Sequence, residues 1–439
     1  MIQLRPQVWP IMQAALQAVD PERAVSHYFT QHPDILTPLQ QTQGRLFVIG
    51  AGKASAPMAK AVQQLLADKI SAGIIIVKYG YSQPLPTGSP IKIIEAGHPV
   101  PDDAGLQATR ELVALLQQTT AADTVLCLIS GGGSALLTLP AEGLTLADLQ
   151  ATNQVLLAVG ATINQINTIR KHVSAVKGGR LAELAMPASV ISLILSDVVG
   201  DPLEVIASGP TVADPTTFAE AETIINQFNL AAKLPHAIIQ HLQAGRLGQH
   251  PETPKPHNPL FQQVTNIIIG SNRVAAQAAV LAAQTAGWQT QLLTTFIEGE
   301  AREVGRVMAA LAKGLQRGEG NLPLPMCLVL GGETTVTLHE PHGHGGRNQE
   351  MALAAAIALE GWPRILIACL GTDGNDGPTD AAGAWADGET VGRARALGLE
   401  AVAHLNHHEA YNLFKALDDL IMTGPTHTNV NDLILIFVW

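Results

Sequence analysis

Cysteine, aromatic residues and charged residues are all scarce in this chain of 439 residues. Three cysteines cannot build a disulfide framework. Each lies in an apolar, strand-like run, which indicates a small buried side chain rather than a nucleophile; they are Cys127, Cys327 and Cys369. Aromatic residues contribute 4% of the chain and hydrophobic residues 47%, which predicts a core packed from alanine and aliphatic side chains.

The distribution of charge excludes several classes of partner. Charged residues make up 14% of the chain, the net charge is −11, and no basic block is present. Nucleic acids and anionic membrane surfaces are therefore not expected partners. No apolar run approaches the roughly 18 residues of a membrane-spanning helix, and residues 1–24 lack the apolar segment of a signal peptide. These features predict a soluble, cytoplasmic protein.

Short, continuous apolar runs alternate with helical segments along most of the chain. In the first half such runs cover residues 46–50, 74–78, 91–95, 125–129 and 190–195. This alternation is typical of a mostly parallel sheet with helices on both faces. We expect a single helix over residues 8–28 to precede the first strand, because its apolar residues recur at helical spacing.

A polar, proline-rich interval at residues 249–263 indicates a boundary, after which a second α/β series begins. Its predicted strands cover residues 266–270, 288–294, 327–330, 334–339, 365–370 and 433–439. The predicted fold class is therefore α/β with two α/β domains. They are an N-terminal, Rossmann-like three-layer sandwich over residues 1–255 and a smaller C-terminal domain over residues 256–439.

Several predicted strands end in loops that favour anion binding. Gly345, Gly346 and Arg347 open an alanine-rich helix, and the free amides and dipole of a helix start favour negative charge. A planar guanidinium there suits a phosphate or a carboxylate. The alternative is a connecting loop that binds no ligand and carries a surface arginine.

The loop after the first strand resembles two nucleotide-binding motifs but matches neither. Ser55 replaces the third glycine of a dinucleotide fingerprint, and Lys78 ends the second strand where an NAD site needs an acid. A Walker A loop fails as well, because Phe47 and Ala54 occupy its glycine and hydroxyl positions. What remains is Lys53 beside exposed amides, as a phosphate ligand or a solvated surface lysine.

Triple glycine after the strand at residues 125–129 permits a nest of amides around a phosphate. It could also simply let a helix pack closely. The residues that we expect to bind nucleotide or phosphate in these loops are Gly50, Gly52, Ser130, Gly131, Gly132, Gly133, Ser134, Gly345 and Gly346.

Carboxylates follow two buried strands directly or nearly so, at Asp197 and Asp373. Such a group is a candidate magnesium ligand or a base for a substrate hydroxyl, although aspartate is also common in turns. Cations concentrate at residues 167–180, which could line an anionic pocket or form a solvated helix face.

Eight segments occur in the order seen in the glycerate 2-kinases, and the chain resembles that family from about Leu46 to the last strand. The segments begin at Gly50, Gly97, Ser130, Arg170, Ser196, Ser208, Gly331 and Gly345. The resemblance implies a C-terminal domain of the type named MOFRL. It also implies Mg²⁺- and ATP-dependent phosphorylation of D-glycerate at its 2-hydroxyl, in a cleft between two domains.

Carried over to this sequence, the resemblance implies that Lys53 and Arg347 handle phosphate and that Asp197 and Asp373 are catalytic carboxylates. We expect the metal at Asp197 and Asp373, with Glu333 as a further candidate. We expect His98, Arg170, Lys177 and Asn348 to contact the substrate. A homodimer is a candidate assembly state.

Two other functions stay open from the sequence. Some relatives bear a hydroxypyruvate reductase label, and Lys78 could meet the 2′-phosphate of NADPH, although the missing third glycine argues against it. The other alternative is a non-catalytic protein that binds a small anion or a nucleotide.

Overall fold

The structure, a computed structural model, describes residues 4–439. Contacts between residues divide the chain into two compact units. The N-terminal unit is Pro21–Ile269, and the C-terminal unit combines Gly270–Trp439 with the residues up to Asp20. The strands are β1 (Leu46–Ala51), β2 (Ile70–Lys78), β3 (Ile91–Ala96), β4 (Thr124–Ile129), β5 (Ser189–Leu195), β6 (Val264–Gly270), β7 (Gln289–Ile297), β8 (Met326–Gly332), β9 (Ile365–Gly371), β10 (Gly383–Asp387), β11 (Leu420–Ile421) and β12 (Asp432–Val438).

Helices pack around both sheets. They are α1 (Arg5–Ala18), α2 (Pro21–Gln31), α3 (Pro33–Gln41), α4 (Ser55–Leu66), α5 (Asp103–Leu116), α6 (Gly133–Leu136), α7 (Leu146–Ala158), α8 (Ile163–His172), α9 (Arg180–Ala185), α10 (Phe218–Gln227), α11 (His236–Arg246), α12 (Asn272–Thr285), α13 (Ala301–Gln316), α14 (Arg347–Ala358), α15 (Thr390–Ala396), α16 (Ala401–Asn406) and α17 (Ala410–Ala416).

The sheet of the N-terminal unit has the strand order β3-β2-β1-β4-β5-β6. Strands β1 to β5 pair in parallel. Every residue of β1 is buried, as expected for a strand covered on both faces. Because the carboxyl ends of parallel strands lie at one edge, the loops after β1, β4 and β5 are brought together there.

The sheet of the C-terminal unit is mixed, with the order β11-β10-β9-β12-β8-β7. Strand β12 runs antiparallel to both neighbours, β8 and β9. Its first residue, Asp432, therefore lies opposite Gly332 and Gly371, which end those neighbours. An antiparallel strand thus delivers a side chain to the edge at which β8 and β9 end.

The predicted fold class, two α/β domains, is confirmed. The strand β6 lies in the N-terminal sheet, and α1 packs against α12 within the C-terminal unit. The domain limits 1–255 and 256–439 would instead put β6 in the C-terminal domain and α1 in the N-terminal domain. These limits remain a prediction from the sequence. No helix within residues 4–439 combines the length and the apolar character needed to cross a bilayer.

Two predicted elements are wrong. The helix expected over residues 8–28 is two helices, because the chain leaves the helical conformation after Ala18 and α2 starts afresh at Pro21, a residue favoured at the first helical position. The strand expected over residues 334–339 is a loop. Thr335 forms only an isolated bridge with Glu300, and the amide and hydroxyl of Thr337 donate to the Glu300 carboxylate.

Candidate active site

The backbone amides of the turn between β1 and α4 are already hydrogen-bonded to protein acceptors. The amides of Gly52 and Lys53 donate to the carbonyls of Ile76 (3.1 Å) and Gly131 (2.8 Å). The amide of Ala54 donates to Ser130 Oγ at 2.9 Å, and that of Ser55 to Gly52 at 3.3 Å. This turn therefore has no spare amide in that stretch for a phosphate, and its contribution is the side chain of Lys53.

The Lys53 ammonium makes no hydrogen bond or ion pair with any other residue in the range 4–439. It lies near two groups whose pKa values it affects. Burial, together with the charges of Lys53 and Lys78, lowers the pKa of His98 to about 4. Burial raises the pKa of Asp197, and Lys53 acts in the opposite direction. The site thus holds one free cation, one carboxylate and a neutral imidazole.

Glycines allow these side chains to approach the loop after β4. A Cβ on Gly131 would lie 2.2 Å from Asp197 Oδ2, and one on Gly132 would lie 3.0 Å from the ring of His98. Gly132 also has a φ of 83°, which favours glycine. No hydrogen bond from the amides of Gly131 and Gly132 to a protein acceptor is found within the described chain. These two amides are therefore available to an anion.

The two serines of this loop have different surroundings. Ser130 is buried, and its Oγ accepts from the Ala54 amide and lies 3.2 Å from Ser55 Oγ, which ties the β1 and β4 loops together. Ser134 instead lines a cavity of about 170 Å³. The expectation that both serines contact phosphate remains a prediction, but the Ser130 hydroxyl already has a structural use.

That cavity collects most of the residues expected to contact substrate. His98, Gly132, Ser134, Arg170 and Lys177 all line it. Two of the cations in residues 167–180, Arg170 and Lys177, therefore line one pocket, so this segment does not form only a solvated helix face. Asn348, the fourth residue expected to contact substrate, lies in the other unit.

Arg170 and Lys177 are both held by neighbours. Arg170 Nε donates to Asn153 Oδ1 at 2.7 Å, and burial lowers the pKa of Arg170. Lys177 Nζ donates to the carbonyls of Ser134 (2.6 Å) and Leu137 (2.8 Å). Burial, with help from the Arg170 charge, lowers the pKa of Lys177 to about 7. Both cations are therefore fixed in position within a partly desolvated cavity.

Sequence reasoning missed two polar residues behind this cavity. Ser208 Oγ lies 2.8 Å from Ser134 Oγ and donates to Asn167 Oδ1 at 3.0 Å. Ser208 also has a φ of 62°, beside Ala207 at 50° and Gly209 at 59°. The run Ser208-Gly-Pro-Thr was part of the family resemblance, but nothing in it predicts a contact with the β4 loop.

In the C-terminal unit, Arg347 is bound by a carboxylate that the sequence analysis did not identify. Its Nε and Nη2 donate to the two oxygens of Asp432, at 2.6 Å and 2.9 Å. Its Nη1 lies 3.2 Å from Glu333 Oε1. Although burial acts to lower it, the pair with Asp432 raises the pKa of Arg347. Asp432 stands at the start of an apolar run, and nothing in the sequence indicates that this run pairs antiparallel and so brings Asp432 to Arg347.

The first amides of α14 are already hydrogen-bonded to a carboxyl group of the protein. The amides of Asn348 and Gln349 donate to the two oxygens of Asp376, at 3.0 Å and 2.8 Å. A Cβ on Gly346 would lie 2.3 Å from the Asp376 Cγ, so glycine permits this approach. Burial raises the pKa of Asp376 to about 7, in spite of those backbone hydrogen bonds. The helix start is therefore not an open phosphate site at these two amides.

A second cavity, of about 550 Å³, lies beside this helix start. Glu333, Gly345, Gly346 and Arg347 line it. No hydrogen bond from the amides of Gly345 and Gly346 to a protein acceptor is found in residues 4–439. Asp373 Oδ1 accepts from the Asn375 amide at 3.1 Å, a turn contact that leaves its other oxygen available.

No cluster of three or more potential metal-ligating side chains occurs among residues 4–439. Asp197 belongs to the N-terminal unit, whereas Asp373 and Glu333 belong to the C-terminal unit. Lys53 and Arg347 are likewise divided, and their opposition across a cleft stays a prediction.

Both halves of the chain match known protein families. A family model described as a domain of unknown function, DUF4147, matches residues 7–243, and the MOFRL family matches residues 326–432. A Thermotoga maritima protein named D-glycerate 2-kinase is 41% identical over 430 residues, which cover 97% of this chain and 96% of that protein. An Agrobacterium vitis protein whose hydroxypyruvate reductase name is provisional is 43% identical over 431 residues, which cover 98% and 93% of the two chains.

A crystal structure of glycerate kinase from Thermotoga maritima has the same fold, with a TM-score of 0.90 and 39% identity. The match covers 100% of both chains. The chain belongs to the glycerate 2-kinase family, the glycerate kinases that carry a MOFRL domain.

Proposed function

We propose that this protein is a glycerate 2-kinase, which transfers the γ-phosphoryl group of ATP to the 2-hydroxyl of D-glycerate and releases 2-phosphoglycerate and ADP. The observation that carries the proposal is the convergence of Arg170, Lys177 and His98 on one cavity of about 170 Å³. That volume is several times the roughly 10–15 Å³ that a single water molecule needs. A three-carbon acid with seven non-hydrogen atoms is a ligand of this size.

Arg170 is the group that we assign to the substrate carboxylate. Its Nε is bonded to Asn153, which fixes the plane of the guanidinium and leaves the other N–H groups available to a ligand. A planar fork matches the geometry of a carboxylate. Partial burial strengthens such a pair, since less water competes for the charges.

Lys53 is the group that we assign to the transferring phosphoryl. Phosphoryl transfer needs little covalent help from the protein, and depends on positioning and on cations around the spreading negative charge. The Lys53 ammonium has no protein partner among the described residues, and the free amides of Gly131 and Gly132 lie beside it. These groups together supply the hydrogen-bond donors of a site that a phosphoryl group can occupy.

Arg347 and the amides of Gly345 and Gly346 are the donors that we assign to the nucleotide phosphates. The volume of their cavity, about 550 Å³, lies within the range of roughly 300–1,000 Å³ of small-molecule sites. Asp432 holds the guanidinium in place and Glu333 lies 3.2 Å from its Nη1, so the N–H groups that remain for a ligand point in a fixed direction.

Each unit carries carboxylates of the kind that bind Mg²⁺, although no cluster of three potential ligands occurs among residues 4–439. Magnesium in kinases is held by one or two carboxylates together with substrate phosphates. Asp197 offers a carboxylate without a side-chain hydrogen bond among the described residues, and Asp373 and Glu333 are further candidates. When bound, Mg²⁺ neutralises charge on the phosphate oxygens.

A nicotinamide-dependent reductase fits the structure less well. Pyrophosphate binding in a dinucleotide fold uses free amides at the first βα turn. Here the amides of residues 52–55 all donate to protein acceptors. A sensor that binds without turnover is a further alternative, which an activity assay separates.

A pair of coupled assays tests the proposal. We expect ADP release that depends on D-glycerate and no hydroxypyruvate-dependent loss of NADPH. Arg170→Ala removes a charge-assisted contact, so the KM for D-glycerate is expected to rise about 10- to 100-fold with little change in the KM for ATP. Arg110→Ala, which removes an exposed arginine of the same unit, is the matched control. A normal KM for D-glycerate in Arg170→Ala contradicts the assignment.

A further inference from the structure

A chain of hydrogen bonds connects the cavity to the interior of the N-terminal unit. Ser134 lines the cavity, its Oγ lies 2.8 Å from Ser208 Oγ, and Ser208 Oγ lies 3.0 Å from Asn167 Oδ1. Ser208 and Asn167 are 0% and 3% exposed, so water does not compete for these bonds. The three side chains form a continuous chain that begins at the cavity and ends inside the protein.

The chain has one direction. With the Asn167 amide oriented as in the structure, its carbonyl oxygen faces Ser208, and because that oxygen can only accept, the Ser208 hydroxyl donates its hydrogen to it. Ser208 then has only lone pairs to offer Ser134, and Ser134 must donate its own hydrogen to Ser208. With that hydrogen committed, the Ser134 oxygen can act toward a ligand only as an acceptor.

We propose that Ser134 accepts a hydrogen bond from a substrate hydroxyl, and that the chain Ser134–Ser208–Asn167 thereby selects a 2-hydroxy acid over the corresponding 2-keto acid. The proposal rests on the proposed function, because it concerns the glycerate cavity. A hydroxyl supplies the hydrogen that Ser134 lacks. A keto oxygen has none, so it would bring two acceptors together in a desolvated site, which is costly.

Other hydroxyls of the cavity have the same polarity. Thr138 and Thr152 also line it, and their hydroxyls donate to the carbonyls of Ala135 and Asp148, both at 2.7 Å. The hydrogens available to a ligand therefore come from nitrogens, among them those of Arg170, Lys177 and His98, and not from these hydroxyls. The nitrogens suit a carboxylate, and the hydroxyl oxygens suit groups that carry a hydrogen.

The backbone fixes Ser208 in this role. Left-handed φ angles at Ala207, Ser208 and Gly209 place the Ser208 side chain, and non-glycine residues rarely adopt such angles. Strained backbone of this kind persists where the surrounding structure holds it, and it concentrates near functional sites. Since Ser208 does not line the cavity, its effect on a ligand must pass through Ser134.

The test is a comparison of binding constants for D-glycerate and hydroxypyruvate by titration calorimetry. The wild-type protein is expected to bind D-glycerate at least about tenfold more tightly. In Ser208→Ala the Ser134 hydroxyl is free to turn and donate, so the ratio is expected to fall to about threefold or less. Ser192→Ala is the matched control, because Ser192 is likewise a fully buried serine whose hydroxyl donates to a neighbouring side chain, Thr211 at 3.0 Å, but it has no bond to Ser134. It should keep the wild-type ratio.

Asn167→Leu gives an independent test, since it removes the final acceptor and leaves both serines in place. It should lower the ratio as Ser208→Ala does. A wild-type ratio retained in both variants overturns the proposal, and so does a wild-type preference for hydroxypyruvate. If the wild-type protein binds D-glycerate selectively but releases no ADP, the hydroxyl selection stands and the kinase assignment fails.

Discussion

Arg347 and Asp432 form a two-point ion pair, with the guanidinium Nε and Nη2 donating to separate oxygens of one carboxylate at 2.6 Å and 2.9 Å. Asp432 is 2% exposed and comes from β12, the antiparallel strand that lies between β8 and β9. The pair therefore fixes the cation at the edge at which both of these strands end.

Removing this partner should destabilise the C-terminal unit. Asp432→Asn leaves Arg347 without its counter-charge, and loss of one member of a buried pair costs about 3 kcal/mol. Urea unfolding at neutral pH measures the change in the free energy of unfolding. Glu303→Gln breaks an exposed pair with Arg306 and should cost less than about 1 kcal/mol. An equal loss in the free energy of unfolding in the two variants would show that the Arg347–Asp432 pair stabilises the fold no more than an exposed pair does.

Ser130 is expected to act on stability rather than on nucleotide affinity. Ser130→Ala leaves the buried Ala54 amide without its acceptor, which costs about 1–3 kcal/mol in the free energy of unfolding. The KM for ATP should change less than about threefold. A large rise in that KM with unchanged stability would instead support a direct phosphate contact by the hydroxyl.

Lys53 is expected to act on turnover. Lys53→Ala removes the unpaired ammonium, and loss of one preorganised charge at a reacting centre lowers kcat by about 10²–10³. The thermal unfolding midpoint should stay close to that of the wild type, because Lys53 makes no hydrogen bond or ion pair among residues 4–439. The exposed Lys92→Ala is the matched control. A kcat of Lys53→Ala near that of the control would end this assignment.

Asp376 predicts a pH dependence of stability. Its pKa is about 7 in the folded protein and about 4 in an unfolded chain, so the folded state binds more protons between these values. Its contribution to stability is therefore fully present below about pH 4 and is lost as the pH rises through 7.

Asp376→Asn has no such titration, so the stability of the wild type relative to the variant should fall by about 2 kcal/mol or more between pH 5 and pH 8. Urea unfolding at both pH values measures it, with exposed Asp34→Asn as the control. An unchanged or opposite difference would show that Asp376 is ionised throughout.

The sequence predicted the features that depend on local pattern. The buried runs at residues 46–50 and 125–129 became β1 and β4, because continuous β-branched and leucine residues suit a strand covered on both faces. Since parallel strands end at one edge, the clustering of Lys53, Gly131 and Asp197 could also be expected before the structure.

The features that depend on distant partners could not be predicted in this way. Asp432 reaches Arg347 only because β12 inserts antiparallel between β8 and β9, and an apolar run carries no sign of its direction. Asn167 and Ser208 meet Ser134 through a loop with left-handed backbone, which the sequence around Ser208 does not specify. The break between α1 and α2 was missed because apolar spacing continued across it.

Phosphorus NMR of the product formed from D-glycerate and ATP tests the central claim most directly. The account predicts a single phosphate monoester resonance, coupled to one proton on C2, which identifies 2-phosphoglycerate. Coupling to the two protons on C3 would show transfer to the other hydroxyl. Absence of any phosphorylated acid, with NADPH consumed in the presence of hydroxypyruvate, would contradict the kinase and support the reductase.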